Sequence, residues 1–115
     1  MSKAPHLRER VAFDRPTLSP DGYGGQVSGW SDGAESHECR AELIYLRGGE
    51  AVEAARLAGR SVYKVRVRHC AQAREITADW RMRDLRRGAE YNVREVDTIT
   101  DRAWIFLVVE SGVAV

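Results

Sequence analysis

With 115 residues, 43% of them hydrophobic, the chain can form one domain around one core, and a domain of this size leaves surface for a partner to cover. Charged residues make up 30% of it, yet the formal net charge is only +1, which argues against a polybasic DNA-wrapping protein and an acidic disordered tail. No apolar run approaches the roughly 20 residues of a membrane span, Met1 to Glu9 lack the apolar segment of a signal peptide, and Cys39 and Cys70 form no CxxC pair, as free thiols of a reducing compartment would not.

Met1 to His6 reads as a loose arm. Through Leu7–Phe13, Glu9, Val11 and Phe13 alternate with Arg8, Arg10 and Ala12, so Val11 and Phe13 mark the inward edge of a strand. Pro16 has no N–H to give and is expected to end the pairing. Ser19-Pro20-Asp21-Gly22 and Gly24-Gly25 carry turn chemistry, and Gln26 to Trp30 is a short returning strand. Ser31 to Ser36 is a polar loop. In Glu38 to Leu46, Cys39, Ala41, Leu43 and Tyr45 share one face, opposite Glu38, Arg40 and Glu42, as in an antiparallel sheet with one wet side.

Gly48 to Arg60 interrupts the strand pattern. Glycines bracket an alanine-rich run, Glu50 to Ala58, with good helix propensity but few apolar residues: Val52, Ala55 and Leu57. A helix this short does not hold alone, so the insert either docks or moves. Ser61 to Cys70 is the cleanest strand, with Tyr63, Val65, Val67 and His69 alternating with Lys64, Arg66 and Arg68. Glu75 to Thr77 is expected to be extended. Asp79 to Arg83 is extended with Trp80 and Met82 on one side, Arg86-Arg87-Gly88 is a turn, and Glu90 to Val96 is a strand. Ala103 to Val109 is apolar on both faces, which requires cover on both sides, from the Gly48 insert or from a neighbouring subunit. The tail from Ser111 to Val115 is expected to be exposed. With six to eight short strands, no βαβ rhythm and one insert, the fold class is mainly β: a small antiparallel β-barrel or sandwich with one short helical or loop insert.

His37, Cys39, His69 and Cys70 invite a zinc reading. However, His69 and Cys70 are adjacent and point to opposite faces of a strand, so at most three of the four converge. No GxSxG elbow and no phosphate-cradling loop occurs, and Gly22-Tyr23-Gly24-Gly25 lacks the lysine and the following helix. No catalytic, metal-binding or cofactor-binding residue is assigned. Lys64, Arg66 and Arg68 form a basic stripe that Arg81, Arg83, Arg86 and Arg87 extend. With Trp30, Tyr63 and Trp80 this admits a second reading, an OB- or SH3-like nucleic-acid module, against the plainer one of cross-strand pairing with carboxylates.

Glu9-Arg10-Val11-Ala12-Phe13-Asp14-Arg15-Pro16-Thr17, then Asp21-Gly22-Tyr23-Gly24-Gly25 and Trp30, resemble the opening of the phage head–tail joining proteins, also called head-closure or stopper proteins. Ala41-Glu42-Leu43, Gly48-Gly49-Glu50 through Arg56-Leu57, Tyr63 to Arg68, Ile76, Trp80 to Arg83 and Tyr91 to Val96 continue the resemblance over nearly the whole chain. The resemblance implies a β-barrel domain over 1–115 that assembles with copies of itself into a ring in the neck of a virion or phage-like particle, put together in the bacterial host cytoplasm. Such rings sit below the portal and its adaptor, burying barrel edges between subunits. They close the DNA-filled head and offer a docking surface to a tail terminator or tail tube protein. Double-stranded DNA passes through without sequence-specific contact, and no membrane, cofactor or enzymatic step is involved. The same machinery occurs in phage-derived gene transfer agents. The resemblance assigns channel gating to the 48–60 insert, with Gly48, Gly49, Glu50, Val52, Glu53, Arg56, Leu57 and Arg60 as its candidates. Tyr23, Gly24, Trp30, Lys64, Arg66 and Arg68 are candidate contacts to a neighbouring subunit or the adaptor.

Overall fold

The computed structural model describes residues 7–31 and 36–111. The expected arm at 1–6, the centre of the loop at 32–35 and the tail at 112–115 lie outside the described residues.

Eight strands and one helix follow in order: β1 (Glu9–Asp14), β2 (Pro16–Pro20), β3 (Gln26–Trp30), β4 (His37–Tyr45), α1 (Glu50–Leu57), β5 (Val62–Arg68), β6 (Arg81–Asp84), β7 (Glu90–Asp97) and β8 (Trp104–Ser111). Six of them close an antiparallel barrel in the order β1-β4-β5-β8-β7-β6, with β6 returning to β1. The expected mainly-β class is therefore met, as a barrel. Period-2 alternation fills it: Val11 and Phe13 of β1, Ala41 of β4, Val65 and Val67 of β5, Met82 of β6, Tyr91 and Val93 of β7, and Ile105, Leu107 and Val109 of β8 share one buried core. Ala73, Ile76 and Trp80, from the connection between β5 and β6, join the core after β5 ends. Towards the start of β5, Tyr63 meets Tyr91 edge-on at 5.6 Å and Tyr45 at 5.3 Å.

Several expectations change. The returning strand β3 pairs with β2 and not with β1, so β2 and β3 form a separate two-stranded sheet. The pairing of β1 ends at Asp14, just before Pro16, but Pro16 itself opens the new strand β2, at a position whose missing N–H the ladder does not use. In β1 Val11 and Phe13 point inward as expected, and Ala12 and Asp14 of the opposite face are fully buried too, leaving only Arg10 of that face exposed. Of the extended piece expected at Glu75–Thr77, Glu75 instead closes a 3₁₀ turn over Ala73–Glu75, while Ile76 is extended without joining a sheet; Ala73 and Ile76 both enter the core. Tyr45 keeps the face of Ala41 and Leu43, opposite Tyr63, but at the end of β4 it is partly exposed. A closed barrel also has no edges to bury, so among the described residues free edges occur only in the β2–β3 arm.

Part of the cover over the outer face of β8 comes from the neighbouring strand β5. Register pairs Lys64 with Val108, Arg66 with Phe106 and Arg68 with Trp104. Lys64 and Arg66 lie over the Phe106 ring at 4.7 and 5.2 Å, and Arg68 lies over Trp104 at 5.1 Å. The basic stripe of β5 is thus itself part of that cover, its long side chains shielding aromatic surface while their charges stay near water.

Candidate functional site

Three surfaces carry the residues singled out in the sequence, and they sit on different elements. The first is the insert between β4 and β5. Gly49 adopts φ 96°, a value side-chain-bearing residues rarely take, and its carbonyl accepts the first helical bond, from Glu53 N–H at 3.0 Å. Acidic Glu50 and Glu53 sit in the first turn of α1, where they complement the helix dipole, and Glu53 pairs with Arg56 at 3.0 Å. Only Ala55 of the helix is buried; Val52 is half-buried, and Leu57 is 88% exposed. The helix packs on β5, where Val62 is buried on the face opposite the barrel core. At the exit, Arg60 N–H donates to Ala55 C=O at 2.8 Å, and its guanidinium reaches Glu110 at 3.8 Å. Gly48, Gly49, Glu50, Val52, Glu53, Arg56, Leu57 and Arg60 therefore do form one unit: a helix held at one point and presenting a large apolar side chain to solvent.

The second surface is the stripe Lys64, Arg66, Arg68, which follows the insert along β5. Arg66 also pairs with Glu42 at 3.3 Å. A nucleic-acid module of the stacking kind needs open ring faces. Here those of Phe106 and Trp104 are occupied by the chain's own cations.

The third surface is the β2–β3 arm, and it separates the remaining candidates. Tyr23 and Gly24 sit at its tip, Trp30 at its root. At the tip, Asp21 Oδ1 accepts N–H bonds from Tyr23 at 2.7 Å and Gly25 at 3.0 Å, Gly24 takes φ 88°, and Tyr23 is left 95% exposed. At the root, Arg81 lies over Trp30 at 4.8 Å. Ser31 N–H donates to Arg15 C=O at 2.8 Å, and Arg15 N–H donates to Ser31 Oγ at 2.8 Å.

The group that organises this root carries little signal in the sequence. Asp14, fully buried, accepts bonds from Arg83 Nε (2.6 Å), Arg83 Nη2 (3.0 Å), Arg81 Nε (2.8 Å) and Ser36 Oγ (2.6 Å). Burial alone would raise its carboxyl; the bonds from Arg83, Ser36 and Arg81 outweigh that and hold it below the usual range. A second clasp joins Arg87 to Glu9 and Asp84, each at 2.8 Å, across the β6–β7 turn. The available signal was Arg81 and Arg83 at i, i+2, two arginines forced onto one strand face beside a carboxylate.

The histidines and cysteines separate. Cys70 Sγ and His37 Nε2 lie 3.9 Å apart, His69 Nε2 turns instead to Thr98 C=O at 3.3 Å, and no group of three ligating side chains converges among the described residues. Both thiols are free and half-buried; burial and the neighbouring Cys70 push the Cys39 thiol up to about 12, which leaves it unreactive.

No helix among the described residues is long and apolar enough to cross a membrane. No curated protein matches the sequence. In fold, the chain is similar to a protein of Shigella flexneri 2a solved in solution, with a TM-score of 0.69 at 17% identity over 95% of this chain and 96% of that one. It is likewise similar to a chain from the virion of a native gene transfer agent particle, with a TM-score of 0.61 at 17% identity over 97% of this chain and all of that one. The model of the phage head completion protein family matches residues 2–112, so the chain belongs to that family of phage structural proteins.

Proposed function

We propose that the chain is a ring-forming subunit of the head–tail connector. In this reading copies of it close the DNA-filled head below the portal and its adaptor, a tail terminator or tail tube protein docks beneath, and α1 with its flanking glycines gates the channel. The observation that carries the reading is the insert itself: an eight-residue helix between two barrel strands, buried only at Ala55 and exposing Leu57. Such a segment costs little to move, because a helix of two turns has no stability of its own. The barrel beside it stays closed whether the helix is docked or not. Mixed charge on the outer face of β5, with Arg66 tied to Glu42, suits a polar contact that sets register with a neighbour. DNA passing the ring would meet backbone-type, sequence-independent charge only. Tyr23 and Gly24 at the arm's tip, and Lys64, Arg66 and Arg68 on β5, are the proposed contacts to the next subunit or the adaptor.

Deleting Glu50–Ala58, with Gly49 and Gly59 rejoined, tests the gate. The expected outcome is particles that assemble with this chain in place but lose packaged DNA, read as nuclease-accessible genome. Particles that retain DNA like the wild type would remove the gating role and leave the ring role standing.

A further inference from the structure

The β2–β3 arm has one closed edge and one open edge. Two bonds fix which groups the hairpin uses: Asp21 N–H to Gly25 C=O at 3.2 Å and Ser31 N–H to Arg15 C=O at 2.8 Å. With Pro16 opposite Trp30 and Leu18 opposite Ser28, the pairs that exchange ladder bonds are therefore Thr17 with Gly29 and Ser19 with Val27. The alternate residues turn their backbone groups outwards: Pro16, Leu18 and Pro20 on β2, and Gln26, Ser28 and Trp30 on β3. On β2 two of those three positions are proline and have no N–H to offer, so that edge resists a further strand. On β3 all three positions keep both donor and acceptor, and among the described residues no other strand pairs with it.

We infer that the β3 edge, Gln26–Trp30, accepts one extended strand contributed by a different protein of the particle. The occupant follows from what a second copy has to offer. Every barrel strand is already paired on both sides, and the β2 edge is blocked by prolines. Among the described residues another copy can present only its own β3, and joining two like edges makes a two-fold pair that stops at two. Such a pair cannot propagate around a ring. A strand from another polypeptide meets no such limit: backbone bonds to residues 26, 28 and 30 supply affinity, and alternate side chains supply specificity. On the Trp30 face lies a shallow cleft of about 470 Å³ bounded by Pro16, Leu18, Ser28, Trp30 and Asp79. Leu18 is 67% exposed there, so the incoming strand should place an apolar residue on this side.

The inference rests on the head-completion reading, and the test separates the two. Amide hydrogen exchange over 26–30 is measured on the isolated chain and on purified particles that contain it. The outward amides of Gln26, Ser28 and Trp30 are expected to exchange freely in the isolated chain and to gain at least about 100-fold protection in the particle. Ser28→Pro removes an outward N–H without touching a ladder bond and is expected to enter particles at less than about a tenth of the wild-type level, while Ser28→Val enters normally. Should Ser28→Pro fail to fold, the exchange comparison on the wild type decides. A photo-cross-linker at position 28 is expected to capture a polypeptide other than this chain. Unchanged protection, normal entry of a folded Ser28→Pro, or capture of a second copy would each overturn the inference while leaving head completion intact. Absence of the wild-type chain from particles would overturn the head-completion reading and this inference with it.

Discussion

At the scale of single residues, Asp14 matters more to this fold than any residue the sequence marks out. It follows a run of buried apolar residues, has no exposed surface, and receives two arginines and a serine. Removing its charge leaves Arg81 and Arg83 without their shared acceptor. Asp14→Asn is expected to cost about 3 kcal/mol in denaturant unfolding, the low end for a broken buried pair, because the Arg83 side chain is 35% exposed. The pH dependence has a definite sign. The folded carboxyl titrates below the unfolded one, so its stabilisation is complete above the ordinary carboxylate range and is lost as pH falls through the folded value. Glu9, through its hydrogen bond from Arg87, and Asp84, where bonds from Arg87 and Arg86 outweigh burial, shift the same way. Tm is expected to be flat above about pH 5 and to drop below about pH 4, less steeply in Asp14→Asn than in the wild type.

At the scale of elements, legibility followed the strength of local pattern. β5 and β8 were plain, one from strict alternation and the other from an unbroken apolar run. The α1 insert was plain because glycines bracket an alanine-rich stretch. The β2–β3 arm was half legible: the turn chemistry of Asp21 to Gly25 marked a hairpin, but partner choice is a tertiary matter. A proline at the head of β2 reads as a stop unless the parity of its N–H is known. The 3₁₀ turn over Ala73–Glu75 was missed, with only its last residue inside the piece read as extended, because three residues hold too little pattern to tell a turn from a strand. For α1, one small residue sustains the docking. Ala55→Glu places a charge against β5 and is expected to undock the helix. Amide exchange over 50–57 should then approach unfolded rates while the Tm of the barrel shifts by no more than about 2 °C. Protection of α1 equal to the wild type would show that the helix is anchored by something other than Ala55.

At the scale of the whole molecule, the division of labour is between a closed barrel and two appendages. The barrel seals its own edges and partly covers the outer side of β8 with its own lysine and arginines. That outcome was not legible: an apolar strand such as Trp104–Val109 announces that cover exists but not whose side chains provide it. For partners the chain holds out the insert, the arm and the charged ends of the β5 stripe. The basic stripe, legible as a row of charges, turned out to be bound up with Trp104 and Phe106. The site residues thus divide into those the chain uses for itself and those it holds out.

The central claim is the place of this chain in a particle. The most direct measurement is a reconstruction of the neck of purified particles carrying the wild-type chain. The expected result is a closed ring of this barrel on the head side of the tail-docking plane, with 48–60 inward towards the channel and the β2–β3 arms against a neighbouring protein. A neck without this chain, or a ring with the insert turned away from the channel, would contradict it.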